Sequence, residues 1–569
     1  MSEDSFDRTA DYVIVGAGSA GSVLADRLSA DGNHEVLVLE FGGKDNSIFI
    51  QMPTAFSIPL NKKRFDWELH TEPEPGLNGR SIHQARGKVI GGSSSINGMV
   101  YVRGSAGDFE EWENLGAEGW GYADVLPYYQ RAEDCIYGED EYRGVGGPLG
   151  ICNGNNMENP LYRAFIEAGE EAGYGRTDDY NGYRQEGFCR MDMTVRNGVR
   201  ASTANAYLKP ALKRGNLHLE MHALTQRIIM EGKKAVGVEY RQKGRTWRVA
   251  ARKEVLICAS AFNSPKLLML SGIGPAAQLR EHGIDVVHDL PGVGENLQDH
   301  LEVWVQLRCT QRITLNGWLN PFGQAWIGAR WLLTRSGLGA SNQFESNGYI
   351  RSCSGLKYPD LQYHFLAGAI SYDGSGAVKG HGFQVHLGAN KPKSRGRVWL
   401  RSADPEDPPR MAFNYLSEEA DKQAYRDGVR LTREIFAQPA FDPYRGAEVS
   451  PGRDVHSDDE IDDWVARTAE TAYHPCGTCR MGNDEHAVVD TECRVRGVEN
   501  LRVVDSSVMP ALTNGNINAP TIMIGEKAAD HILGKKVLAP SSVEAHVVPD
   551  WDRKQREGKP RRVAKDVAT

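Results

Sequence analysis

The stretch ETAYHPCGTCRMG, residues 470–482, sets His474 two residues ahead of a Cys-x-x-C pair, Cys476 and Cys479. Three chemistries use such a cluster: a zinc half-site, a redox dithiol, or a general base beside incidental cysteines. Zinc needs two further ligands at matching spacing, and the chain has no second Cys-x-x-C or His-x-His. A thioredoxin-like dithiol opens a helix after a strand in a small domain, whereas this pair sits in the C-terminal half of a long chain. The histidine therefore leads as a base, no metal is expected, and the cysteines read as small packing residues.

The second constellation is Gly16-Ala17-Gly18-Ser19-Ala20-Gly21, a G-x-G-x-x-G. An apolar run at 12–15 predicts a buried parallel strand before it, and Ser19–Ser29 has helical spacing after it. A second strand over 35–40 ends on Glu40. In such a βαβ unit Gly16 permits the tight turn, Gly18 lets backbone approach a pyrophosphate, and Gly21 allows close helix–strand packing. The helix N-terminus attracts the phosphates, and Glu40 can bind ribose hydroxyls. The motif alone fits NAD or FAD. A glycine–serine loop, GKVIGGSSSIN at 87–97, could bring further backbone N–H groups to a phosphate or to a flavin edge.

The chain that must position these groups has 569 residues, enough for two or more domains. Its 40% hydrophobic and 25% charged composition is that of an ordinary globular protein. A net charge of −9 disfavours nucleic acid as a partner. No apolar run approaches the roughly 18 residues of a membrane span. The start, MSEDSFDRTADYVIVG, shows no export signal, and nine scattered cysteines fit reduced thiols. A cytoplasmic enzyme is expected. Buried strands are predicted at 254–259 and in NLRVVDSSVMP, and helices at 418–436 and 521–533. The charged end, PDWDRKQREGKPRRVAKDVAT, predicts a mobile tail.

Five segments lie in one order: the opening fingerprint, GKVIGGSSSINGMVYVRGSAGDFEE, SAFNSPKLLMLSGIGP with LPGVGENLQDH, YHPCGTCRMG, and GNINAPTIMIGEKAADHI. Together they resemble the glucose–methanol–choline (GMC) oxidoreductases over residues 11–533. The resemblance implies an α/β fold (α+β overall). A Rossmann-like FAD-binding domain is interleaved with a substrate-binding domain built on a mostly antiparallel sheet with helices. Residues 8–310 would be mainly FAD-binding, with substrate-domain excursions near 46–80 and 155–200. Residues 311–470 would be mainly substrate-binding, 471–535 would return to the FAD domain, and 536–569 would form the tail. By position, Gly16, Gly18, Ser19, Ala20, Gly21, Glu40 and Thr225 would hold the adenosine end of FAD. Gly92, Asn97, Gly98, Met99 and Val100 would border the flavin, with Asp505, Asn518 and Pro520. Phe41 replaces the usual alanine beside the adenosine loop. Ile96 replaces the histidine that some members join to the flavin, which implies non-covalent FAD. The resemblance makes His474 the base for an alcohol hydroxyl, with hydride passing to flavin N5, and Asn516 its hydrogen-bonding partner.

GASNQFESNGYIRS, YHFLAGAISYDGSGAVKGHGFQVHLG and DPYRGAEVSPG resemble the members that oxidise choline. A quaternary ammonium offers no N–H to hydrogen-bond, so aromatic faces and a carboxylate must hold it. Glu345 is the expected acid, Phe65 and Trp67 the expected aromatics, and Trp318, Trp326 and Trp331 weaker ones. The product aldehyde could be oxidised again to glycine betaine, an osmoprotectant. The acceptor is a respiratory quinone, an artificial acceptor or oxygen, and the basic tail offers peripheral membrane contact. Two alternatives remain at this point: oxidation of neutral primary alcohols, and a flavin-binding scaffold without catalysis.

Overall fold

The computed structural model describes residues 6–153, 157–370 and 379–563. Part of the choline-like segment at 363–388 and the last residues of the chain lie outside them. Two seven-stranded sheets organise the molecule. In the first, Arg8–Val15 pairs in parallel with Val36–Glu40 on one side and Arg245–Ile257 on the other. Leu217–Met221 and Leu501–Val503 extend the parallel part, and a meander through Leu224–Glu231 and Lys234–Gln242 completes it. Residues 12–15 and all of Val36–Glu40 are buried. Strands covered on both faces read as unbroken apolar runs. The fingerprint helix, Ser19–Ser29, packs against Asn518–Ile532 from the far end of the chain.

The second sheet is antiparallel and runs Arg445–Ser450, Leu301–Cys309, Gly382–Ala389, Leu361–Leu366, Phe344–Ile350, Gly187–Arg190. Side chains alternate between its faces. Val303, Val305, Leu307, Phe365, Phe383 and Val385 enter a core that also takes in helices Pro160–Glu171 and Glu419–Phe436. Glu302, Trp304, Gln306, His364 and His386 alternate with them and line a cavity on the other face. Trp304, His386 and His364 stand directly side by side across three strands.

Three expectations change. The closing helix starts at Asn518, and the strand expected to 259 stops at Ile257 so that Ser260–Leu270 can begin. The described part of the charged C-terminal end is no mobile tail but a strap laid on the protein. The carbonyls of Trp551 and Lys554 accept from Arg351 Nη1 at 3.2 and 2.8 Å. Arg556 lies over the Tyr174 ring and pairs with Glu434, while Arg561 and Arg562 pair with Glu171 and Asp442. Its basic residues meet acids already fixed on the surface, and charge content alone does not reveal such partners. Truncation before Trp551 takes two acceptors from the buried Arg351. It should lower Tm by on the order of 3 °C; a scanning-calorimetry trace unchanged by the truncation would contradict the strap.

Candidate active site

One cavity of about 710 Å³ is lined by elements of both sheets. Gly16, Gly18, Ser19, Ala20 and Glu40 line one end, at the carboxyl ends of the parallel strands, where such sheets bind ligands. Gly16 has φ +102, and a Cβ there would lie 2.4 Å from the Cys258 carbonyl oxygen. Gly21 is a packing residue off the cavity wall: a Cβ on it would come within 2.0 Å of the Gly16 oxygen. The Glu40 carboxylate accepts the N–H groups of Ala17 at 2.9 Å and Gly42 at 2.6 Å, and burial pushes its carboxyl up to about 7. It therefore locks the turn as well as facing the cavity. Phe41 packs on Trp67 with ring centroids 4.9 Å apart, and both line the wall.

The second glycine loop lies against the first: a Cβ on Gly92 would sit 2.7 Å from Gly18 Cα. The buried Arg200 donates to the Ser94 and Asn97 carbonyls and to that of Ile50, which clamps the loop. Asn97, Gly98, Met99 and Val100 continue the wall. Asp505 accepts from Ser260 N, Ser264 Oγ and Ser507 N, and Asn518 Oδ1 accepts from Ser19 Oγ at 2.7 Å. Pro520 is a correction, buried in the helix behind the wall rather than on it. Thr225 Oγ1 is buried, reaches no protein partner, and belongs to a cavity-lining residue. A cavity lined by two glycine-rich loops, with a buried hydroxyl that has no protein partner, fits an extended flavin dinucleotide.

At the other end His474 and Asn516 meet, with Nε2 and Nδ2 3.0 Å apart. Asn516 Oδ1 accepts from Gln362 Nε2 at 3.3 Å, which turns the amide NH2 towards the histidine. The histidine backbone N–H donates to Asp299 Oδ1 at 2.7 Å, and Asp299 also accepts from Tyr415 and Thr471. His474 Nδ1 lies 3.0 Å from His300 Nδ1, and His300 Nε2 lies 3.0 Å from the Asn390 carbonyl oxygen. A carbonyl only accepts, so neutral His300 carries its proton on Nε2. Its Nδ1 is then an acceptor and receives a hydrogen bond from the Nδ1–H of His474. The tautomer that remains for His474 leaves Nε2 unprotonated, accepting from the Asn516 amide NH2. Burial, followed by His300, His364 and Arg86, holds the pKa of His474 well below the ordinary histidine value. His300 is pushed down to about 3, mainly by burial. Both rings are therefore neutral near pH 7.

The expected ammonium site is corrected. Glu345 is fully buried, accepts from Ser341 Oγ and does not line the cavity. Its strand neighbour Phe344 does, and the register shift between Phe344 and Ser346 leaves Glu345 in a bulge off the wall. Phe65 packs with Ile50, Val89 and Ile96 off the wall. Trp331 is buried elsewhere, and Trp318 and Trp326 are exposed. Of the carboxylates on the cavity wall, the one that the antiparallel sheet presents beside aromatic rings is Glu302. It accepts from Trp304 Nε1 at 2.9 Å, and His386 Nδ1 lies 2.8 Å from it. Burial opposes its charge, but His386, His364 and these hydrogen bonds outweigh burial and lower its pKa. The Trp304 and Phe344 rings each pack on His386 at 5.2 Å, and Phe56 lies 6.1 Å from Phe344. Glu302 and Trp304 were legible in the alternation of LEVWVQL, just past the quoted LPGVGENLQDH, but alternation does not say which cavity a face looks into. Cys476 and Cys479 are wholly buried in the first core, and burial raises both thiols.

The family description GMC oxidoreductase matches residues 10–302 and again residues 392–525. An oxygen-dependent choline dehydrogenase of Photobacterium profundum is 58% identical over 553 residues, 97% of each chain. Among solved structures, a pyridoxine 4-oxidase from Mesorbium loti superposes with TM-score 0.84 at 33% identity, over 92% of this chain and 99% of that one. A formate oxidase of Aspergillus oryzae, studied for its FAD modification, gives 0.88 at 27% identity over 93% and 99%.

Proposed function

The chain belongs to the GMC oxidoreductases, a family of FAD-binding enzymes, and on that premise we propose that it oxidises choline to betaine aldehyde, and the hydrated aldehyde onward to glycine betaine. The observation that carries the substrate is Glu302, a charged carboxylate set among Trp304, Phe344 and His386 on the cavity wall. A trimethylammonium group gains there both a counter-charge and aromatic faces. A neutral alcohol would leave the carboxylate buried without a cation, at a cost in affinity. The 58% identity to a choline dehydrogenase over nearly the whole chain supports the same reading.

The residues divide the work as follows. His474 Nε2, kept unprotonated by the tautomer that His300 sets, removes the hydroxyl proton. Asn516 donates its amide N–H to the substrate oxygen and cannot itself act as a base. Asp299 fixes the backbone of His474, and Glu302 with its aromatic neighbours anchors the cationic end. FAD, when bound between the fingerprint turn and the 92–100 loop, supplies the hydride acceptor. Oxygen serves as electron acceptor in this reading, in line with the name of the relative, and a quinone is the alternative. The site of action is the cytoplasm, with peripheral contact to the membrane. Among the described residues no helix is long and apolar enough to cross one.

The test is anaerobic bleaching of the purified holoenzyme. Choline should bleach its yellow colour, and 1-butanol and benzyl alcohol should do so far more slowly; equal or no response to choline sinks the reading. Re-oxidation by oxygen against an artificial acceptor then identifies the electron route. Ile96 lines the cavity and has no nucleophile to bond to the cofactor. Acid precipitation should therefore leave the flavin in the supernatant, and a yellow pellet would refute non-covalent binding.

A further inference from the structure

The helix Pro321–Thr334 breaks the usual rule of surface patterning. Six of the fifteen large hydrophobic residues exposed among the described residues fall within residues 318–333. Trp318 and Leu319 precede the helix, while Phe322, Trp326, Leu332 and Leu333 stand on it. Phe322 and Leu333 are 88% and 85% exposed, and Trp326 is 61%. Positions 322, 326 and 333 recur at helical spacing and so form one outward stripe. Trp331 lies on the opposite side, buried against Met52, Ala55 and Ala340, with its Nε1 donating to the Gly198 carbonyl. The helix is therefore held firmly from within while it shows its apolar face to solvent.

The charge of the surrounding segment is one-sided. Residues 303–344 contain four arginines and no acidic residue, in a chain that carries 75 acids. Arg330 and Arg335 flank the stripe and form no ion pair among the described residues. Arg335 caps the helix with its guanidinium over the Trp331 ring. Tryptophan, phenylalanine and leucine on one face with arginine at its border is the chemistry of a helix lying in a lipid interface. The long stretch without acids suits a surface of negative headgroups.

We infer that the helix Pro321–Thr334, with the turn before it, docks the enzyme on an anionic phospholipid surface, its apolar stripe among the acyl chains and its arginines at the headgroups. The basic C-terminal strap does not serve this end, because Arg556, Arg561 and Arg562 are paired with acids of the protein itself. The inner side of the helix rests on the segment around residues 48–58, whose continuation through Phe56, Leu60 and Asn61 lines the cavity. Docking thus sets the membrane against the outer side of one cavity wall.

The experiment uses full-length holoenzyme and sedimentation with vesicles of phosphatidylcholine, with and without phosphatidylglycerol. The expected result is binding to the mixed vesicles that weakens with salt, and a loss of at least tenfold in the triple variant Phe322→Ser, Trp326→Ser, Leu333→Ser. That variant should keep its Tm and its choline turnover with a soluble acceptor, because none of the three residues lines the cavity. Quenching of tryptophan fluorescence by brominated acyl chains should fall in Trp326→Phe. Failure of the holoenzyme to sediment overturns the proposal, and so does undiminished binding of the triple variant. Light scattering that finds a dimer broken by the same three substitutions, without vesicle binding, assigns the face to a second copy instead and equally overturns it. The vesicle-binding, quenching and light-scattering readouts do not depend on choline being the substrate.

Discussion

Alanine at position 474 lowers kcat for choline by about 10³-fold, roughly 4 kcal/mol in the barrier, while the variant still binds flavin. The size follows from how completely the site commits to this ring. His300, fixed by the Asn390 carbonyl, accepts from the Nδ1–H of His474 and so keeps Nε2 unprotonated. Asp299 pins the backbone N–H, and Asn516 faces Nε2 at 3.0 Å. No neighbour can substitute: His300 spends both ring nitrogens on partners, and His364 Nε2 is already engaged by Gln362 at 2.7 Å. Stopped-flow measurement of anaerobic flavin reduction separates this from damage to binding, because the limiting reduction rate should fall while the choline concentration at half-saturation changes little. A loss below about tenfold would remove His474 from the role of base.

The second large effect divides two substrates. Glu302→Gln keeps the shape of the side chain and removes its charge. The kcat/KM for choline should fall by about 10²-fold, the cost of truncating one side of a desolvated charge pair. For 3,3-dimethyl-1-butanol, the uncharged analogue, the change should stay within about threefold. Glu345→Gln should alter neither ratio, because that carboxyl turns away from the cavity. Equal losses on both substrates in Glu302→Gln would make Glu302 a structural residue, and a selective loss in Glu345→Gln would restore the earlier assignment.

What the sequence disclosed and withheld has a physical pattern. The fingerprint turn was legible because its glycines are demanded locally: no side chain fits where Gly16 faces the Cys258 carbonyl. The buried strand at 12–15 and the helix Ser19–Ser29 were legible from apolar periodicity. His474 and Asn516 were named by resemblance, and their meeting across 42 residues is a tertiary fact. The ammonium site was misread because a strand shows its alternation but not its orientation. Phe344 and Glu345 are equally plausible on paper, and only the pairing of that strand decides which of them sees the cavity. The strap was misread for a related reason, since a run of basic residues looks solvated until Glu434, Glu171 and Asp442 are in place.

The hydrogen bond from Ser19 to Asn518 joins positions 499 residues apart, and that distance has a consequence during synthesis. The nucleotide turn leaves the ribosome early, but the helix that backs it comes last, as does the Leu501–Val503 strand that pairs with Arg245–Ile257. Until then the nascent chain carries an open strand edge and a half-walled cofactor groove. Cofactor capture is thus confined to the final moments of translation or to the period after release. Cells making the protein quickly should accumulate cofactor-free, aggregation-prone chains before they run short of the polypeptide itself.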